Sequence, residues 1–142
     1  MLKLLQGKKG IIFGALDEKS IAWKVAEKCK EHGADLVLTN APVAFRFGGI
    51  QKLAEALNCP AIPADATSED DLEKLLDESL EHFAGGVDFV LHSIGMSLNV
   101  RKNKHYTDLK YDWMHKTLDI SAISFHRVMQ SLWKKDAMNE WG

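Results

Sequence analysis

A chain of 142 residues and 15.9 kDa is long enough for one domain with a real hydrophobic core. Its composition, 46% hydrophobic and 27% charged, is that of an ordinary globular protein and excludes a disordered or fibrous one. A net charge of -2 gives no general attraction to nucleic acid or to an anionic membrane, so any partner has to be recognised at a specific site. Met1 to Leu5 is too short an apolar stretch for a signal peptide, and no segment approaches the apolar length that spans a bilayer. Cys29 and Cys59 stand alone without ligand spacing, which suits reduced thiols in a cytoplasmic protein. The histidines at 32, 82, 92, 105, 115 and 126 form no metal-binding spacing, and no metal is expected.

Short apolar runs alternate with longer helical patterns, which predicts a β-α unit repeated four times. The first strand, about Gly10 to Gly14, passes through Ala15-Leu16-Asp17-Glu18-Lys19 to a helix opening near Ser20. A strand that ends on glycine and hands over to a helix is the architecture of a phosphate site, because unpaired N–H groups and a positive dipole end face the anion. Only one glycine of G-x-G-x-x-G is present, so this segment alone reads equally well as an ordinary turn capped by Ser20. The helix is expected to bury Ile21, Val25, Ala26 and Cys29 and to stop at His32-Gly33.

The second strand is Leu36 to Thr39, followed by a helix with Ile50, Leu53, Ala54 and Leu57 on one stripe. The third, Ala61 to Ala66, is weakened by Pro63. Thr67 or Ser68 then caps the acidic turn Glu69-Asp70-Asp71 of a helix carrying Leu72, Leu75, Leu76, Leu80 and Phe83 inward. After Gly85-Gly86 comes the fourth strand, Phe89 to Ser93. A polar loop through Arg101, Lys102 and Lys104 leads to a last helix, about Asp112 to Asp136, with Leu118, Ala122, Phe125, Met129 and Leu132 as its core stripe.

Such alternation predicts right-handed crossovers and a parallel α/β sheet whose ligands bind at the carboxyl ends of the strands. Those ends carry the unusual residues: Gly14, Thr39-Asn40, Asp65 and Ser93-Ile94-Gly95.

Gly14, then five residues, then Ser20-Ile21-Ala22, with Asp65, His92-Ser93-Ile94-Gly95 and Asp119-Ile120-Ser121 downstream, resembles bacterial enoyl-acyl-carrier-protein reductase, a divergent branch of the short-chain dehydrogenases. The resemblance covers essentially the whole chain. It implies a Rossmann-type doubly wound sheet, here its first four β-α units, and NADH or NADPH as donor for reducing the trans-2 double bond of an acyl chain on acyl carrier protein. It also implies a homotetramer. By position, Gly14, Ser20 and Ile21 would line the pyrophosphate and nicotinamide ribose, Ala41 the adenosine ribose, and Asp65 and Ala66 the adenine. Asp65 has a second reading as the cap of the next helix. Ser93, Ile94 and Gly95 would pass under the cofactor, with Gly95, Met96 and Ser97 at the edge of the acyl pocket.

In the family the catalytic tyrosine and lysine, spaced Tyr-x6-Lys, follow a fifth strand, whereas this sequence runs to Glu140-Trp141-Gly142. Residues 1–142 are therefore expected to form a dinucleotide-binding domain, incomplete at its C-terminal end, without a catalytic residue. Tyr106 and Lys110 imitate the Tyr-x3-Lys spacing of classical short-chain dehydrogenases but precede the last helix, which makes them a decoy. Thr39-Asn40-Ala41 lacks the acid that grips an NAD ribose, and Arg46 either reaches a 2′-phosphate or faces solvent; NADH is the expected cofactor, with NADPH possible. Arg101, Lys102, Lys104 and His105 either meet the acidic carrier protein or form a solvated cluster. Trp113 and Trp133 are expected in a core or interface. A different class of protein, a non-catalytic nucleotide-binding regulatory module, shares the same cleft.

Overall fold

The computed structural model describes residues 2–142, and for Arg101 the backbone alone. Met1, from the leading apolar stretch, and the Arg101 side chain, from the basic loop, lie outside the described residues. Four parallel strands, β1 (Lys9–Phe13), β2 (Asp35–Asn40), β3 (Ala61–Pro63) and β4 (Phe89–His92), form one sheet in the order β3-β2-β1-β4. The helices α1 (Ile21–Glu31), α2 (Gly49–Leu57) and α3 (Glu69–Phe83) make the crossovers. The sequence continues through α4 (Leu98–Arg101), α5 (Tyr111–Leu118), a π-helical turn (Asp119–Ile123) and α6 (Ser124–Lys134). Short 3-10 turns at Pro42–Phe47 and Tyr106–Asp108 went unforeseen.

β1 and β2 are covered on both faces, which is why they read as unbroken apolar runs rather than as alternation. Ile12, Leu36 and Leu38 pack with Ala22, Trp23, Ala26, Ile50 and Leu53 beneath α1 and α2. Ile11, Phe13 and Val37 pack on the opposite face with Leu72, Leu75, Leu76, Val128 and Leu132 from α3 and α6. The sheet order reverses about β1, since β2 lies to one side and β4 to the other. Such a switch point opens a crevice at the carboxyl ends of the strands.

Three expectations shift. β3 ends at Pro63, which has no N–H for the ladder, so Ala64 N–H bonds Asn40 O from outside the strand at 2.9 Å. α1 buries Ala22 and Trp23, whereas Ile21, at its first position, is 74% exposed. Along the last helix Leu132 is buried as expected, but Leu118, Ala122, Phe125 and Met129 are exposed, and Ser124 and Val128 are buried instead. The serine-bearing face turns inward because its hydroxyls have partners on and beyond β4. The apolar stripe is left outside, with Trp133 85% exposed.

Candidate functional site

Ser68 caps α3 as expected, its hydroxyl accepting from Asp71 N–H at 3.2 Å. Ser20 behaves differently. It occupies the N-cap position of α1 with no side-chain cap, and its hydroxyl accepts instead from Leu16 N–H at 3.1 Å and Asp17 N–H at 3.0 Å. The β1–α1 loop is thereby tied to itself, and the Ile21, Ala22 and Trp23 amides donate to no described residue. Three N–H groups at the positive end of an eleven-residue helix face the crevice unpaired.

Gly14 and Gly95 serve opposite needs. Gly14 has φ +102° and an added Cβ would sit 2.0 Å from Ser93 O, so the close approach here is between β1's exit and β4's exit rather than to a ligand. Gly95 has no positive φ and nothing within 4 Å of the place a Cβ would occupy. Nothing inside the chain requires glycine at 95.

At the ends of β2, β3 and β4 lies a small hollow of about 50 Å³ lined by Asn40, Ala41, Ala64, Asp65, Ala66, Thr67, Ile94 and Ile120. Asn40 braces it, donating from Nδ2 to Ala15 O at 2.9 Å and accepting from Ala41 N–H at 2.8 Å. Asp65 Oδ1 accepts from Thr67 N–H at 2.8 Å and from the Thr67 hydroxyl at 2.7 Å, while Asp65 N–H donates to Asp71 Oδ2. Neither helix-cap nor free acid describes it: one carboxylate oxygen closes a local turn, and the other has no hydrogen bond among the described residues. Ala41, Asp65, Ala66 and Ile94 are thus brought together. Gly14 and Ser93 meet above β1, and Met96 and Ser97 follow on the loop that leaves β4.

His92, at the end of β4, stacks edge-on with Phe125 and places Nε2 2.8 Å from Ser124 Oγ. Burial pushes its imidazole below the usual range, its own backbone acting the other way. Tyr106 is 80% exposed, and Lys110 Nζ lies over the Trp113 ring at 4.6 Å. Arg46 sits exposed in the 3-10 turn after β2. Among the described residues no group of three or more His, Cys, Asp or Glu could hold a metal, and no helix is long and apolar enough to cross a membrane.

Two contributors escaped the sequence reading. Asn40 ends a strand, and an amide there can donate and accept at once, which is the signal for a brace. Ile120 has no comparable signal, because it reaches the hollow from a π-helical turn that periodicity does not reveal.

Residues 14–142 match the family model described as Enoyl-(Acyl carrier protein) reductase. A reductase from Rickettsia felis, named enoyl-[acyl-carrier-protein] reductase [NADH] FabI, is 32% identical over 129 residues, covering 90% of this chain and 49% of its own length. The crystal structure of FabI from Alistipes finegoldii superposes with a TM-score of 0.97 at 61% identity, covering all of this chain and 54% of that one. A FabI–NADH complex from the same organism gives 0.96 at 62% identity over 99% of this chain and 50% of that one. The chain spans about half the length of the curated relatives it matches.

Proposed function

Because the chain belongs to the enoyl-acyl-carrier-protein reductase family, we propose that it forms the dinucleotide half of an enzyme that reduces the trans-2 double bond of an acyl thioester on acyl carrier protein. The observation that carries the reading is Gly95. Its surroundings are empty and its backbone is unstrained, so the chain itself leaves the space over this loop free for a ligand to lie flat against it. A flat cofactor ring has that shape. The relatives named for NADH and the NADH complex favour that donor over NADPH, as does Arg46 standing exposed without a neighbouring basic cluster after β2.

The cleft's residues fit a dinucleotide. The unpaired amides of α1, beside Gly14, Ser20 and Ile21, suit a pyrophosphate. Ala41 offers a small wall for the adenosine ribose, and Asp65 and Ala66 border the hollow for adenine, where the unused carboxylate oxygen can accept from an exocyclic amine. Ser93, Ile94 and Gly95 form the floor beneath the nicotinamide, with Gly95, Met96 and Ser97 at the acyl edge. When bound, NADH supplies the hydride. These 142 residues bind, orient and exclude water. In this reading the proton-donating tyrosine and the ribose-holding lysine lie outside them, the domain is incomplete at its C-terminal end, and the working enzyme is a cytoplasmic homotetramer.

The test is the intact protein with NADH and a crotonyl thioester, followed by loss of NADH absorbance. Turnover that survives Tyr106→Phe supports the reading. Turnover abolished by that change would move the active site to Tyr106 and Lys110. NADH binding without turnover of any enoyl thioester favours a regulatory nucleotide-binding module instead.

A further inference from the structure

The loop that leaves β4 is held by one side chain from the last helix. Ser121, inside the π-helical turn, accepts from Met96 N–H at 3.0 Å and donates to Met96 O at 3.1 Å. On the near side of Met96, Ser93 N–H bonds Phe13 O at 3.3 Å, and on the far side the Ser97 hydroxyl accepts from Val100 N–H at 3.3 Å. Between those two anchors, the pair with Ser121 is all the hydrogen bonding that the backbone of Ile94, Gly95 and Met96 makes among the described residues. Ile94 packs against the core on one side of the loop, while the space around Gly95 is open, so the Gly95–Met96 backbone depends on Ser121.

The turn that carries Ser121 is itself fixed. Three residues on, Ser124 Oγ donates to Ile120 O at 2.6 Å and meets His92 Nε2 at 2.8 Å. With the Ser124 proton committed to Ile120, the His92 contact requires Nε2–H as donor. The exit loop of β4 is therefore stitched to the wide turn at Ser121, and β4 itself to the first residue of α6 at Ser124; a π turn inside a helix is an uncommon geometry that concentrates where function demands it.

We propose that Ser121 is a positioning residue of the reductase site: through Met96 it sets the height of the Gly95–Met96 backbone, and so the distance between the acyl double bond and the cofactor ring. The inference rests on the reading under Proposed function. Its energetic logic is that of orientation, where a displacement of about 1 Å costs on the order of 100-fold in rate.

Ser121→Ala and Ser121→Thr in the intact protein decide it. Ser121→Ala is expected to speed amide exchange at Met96 without changing exchange in β1 or β2. It is also expected to lower kcat by roughly 10- to 100-fold while the NADH dissociation constant stays within about twofold, because the adenine and phosphate contacts lie on other elements. Ser121→Thr, which keeps the hydroxyl, is expected to restore both. Unchanged exchange at Met96 overturns the proposal, and so does a loss of NADH affinity as large as the loss of kcat. A wild-type protein inert toward enoyl thioesters refutes the reductase reading; the role in catalysis falls with it, while Met96 exchange still decides the clamp.

Discussion

The two flanks of the crevice are built to different standards. On the side away from β4 the central strands are covered: β2 has four consecutive buried residues, the edge strand β3 adds Ile62, and Asn40 and Ser20 tie the loops above β2. On the β4–α6 side no residue of β4 is fully buried, and Val90, Phe125, Met129, Leu132, Trp133 and Met138 line an open apolar groove of about 770 Å³. Identical strand chemistry thus gives a finished wall on one side and an uncovered one on the other. The first flank leaves little apolar surface to water, and the second leaves a contiguous patch of it exposed.

Gly14 is where that contrast can be broken most violently, because it joins the two flanks. Gly14→Ala forces a Cβ to within 2.0 Å of Ser93 O at φ +102°, and a loss of about 4 kcal/mol is expected in urea unfolding. An unfolding midpoint equal to wild type would mean that the exits of β1 and β4 separate freely. The contrast itself is measured by a pair: Leu38→Ala, in the finished wall, should cost roughly 2–5 kcal/mol, and Met129→Ala, on the open one, less than about 0.5 kcal/mol. Equal losses would show that the groove is already covered in solution.

Asp65→Ala is expected to weaken NADH binding in the intact protein by roughly 1–3 kcal/mol while the circular dichroism spectrum stays intact. Unchanged affinity by calorimetry removes Asp65 from the site. Ser68→Ala, which strips the α3 cap, should cost about 1 kcal/mol by urea unfolding. The smallest effect is expected from His92. Burial depresses its folded pKa below the ordinary 6.5, so the imidazolium is disfavoured in the fold. Stability from this group is whole above pH 6.5 and declines as pH falls below it, when the unfolded chain takes up the proton first. His92→Asn should flatten that part of a plot of melting temperature against pH.

The finished flank was legible in the sequence and the open one was not. Ile11-Ile12-Phe13 and Leu36-Val37-Leu38 announce strands buried on both faces, and Ser68 with its acidic turn announces a helix start, because each signal is local. The sheet-end residues were legible for a similar reason, since strand ends fall where apolar runs stop. Three features were not. Ser20 turns from the helix to its own loop, a choice between two sets of backbone donors that sequence does not decide. The last helix presents serines inward because of hydrogen bonds to His92 and Met96, partners 32 and 25 residues away. Ile21 reads as core by spacing yet stands at a helix end facing the crevice.

The tryptophans give the two flanks separate optical signatures. Trp23 is 8% exposed and donates its indole N–H to Glu27 at 3.0 Å in the finished wall, whereas Trp133 stands almost wholly in water beside the groove. An indole in water emits at longer wavelength than one in a dry pocket, so Trp133, together with the exposed Trp141, supplies the red edge of the emission. Whatever comes to cover the groove should shift that edge to the blue while the Trp23 contribution stays still. With Trp133→Phe as the spectral blank, assembly on the open flank can be followed in real time without a label.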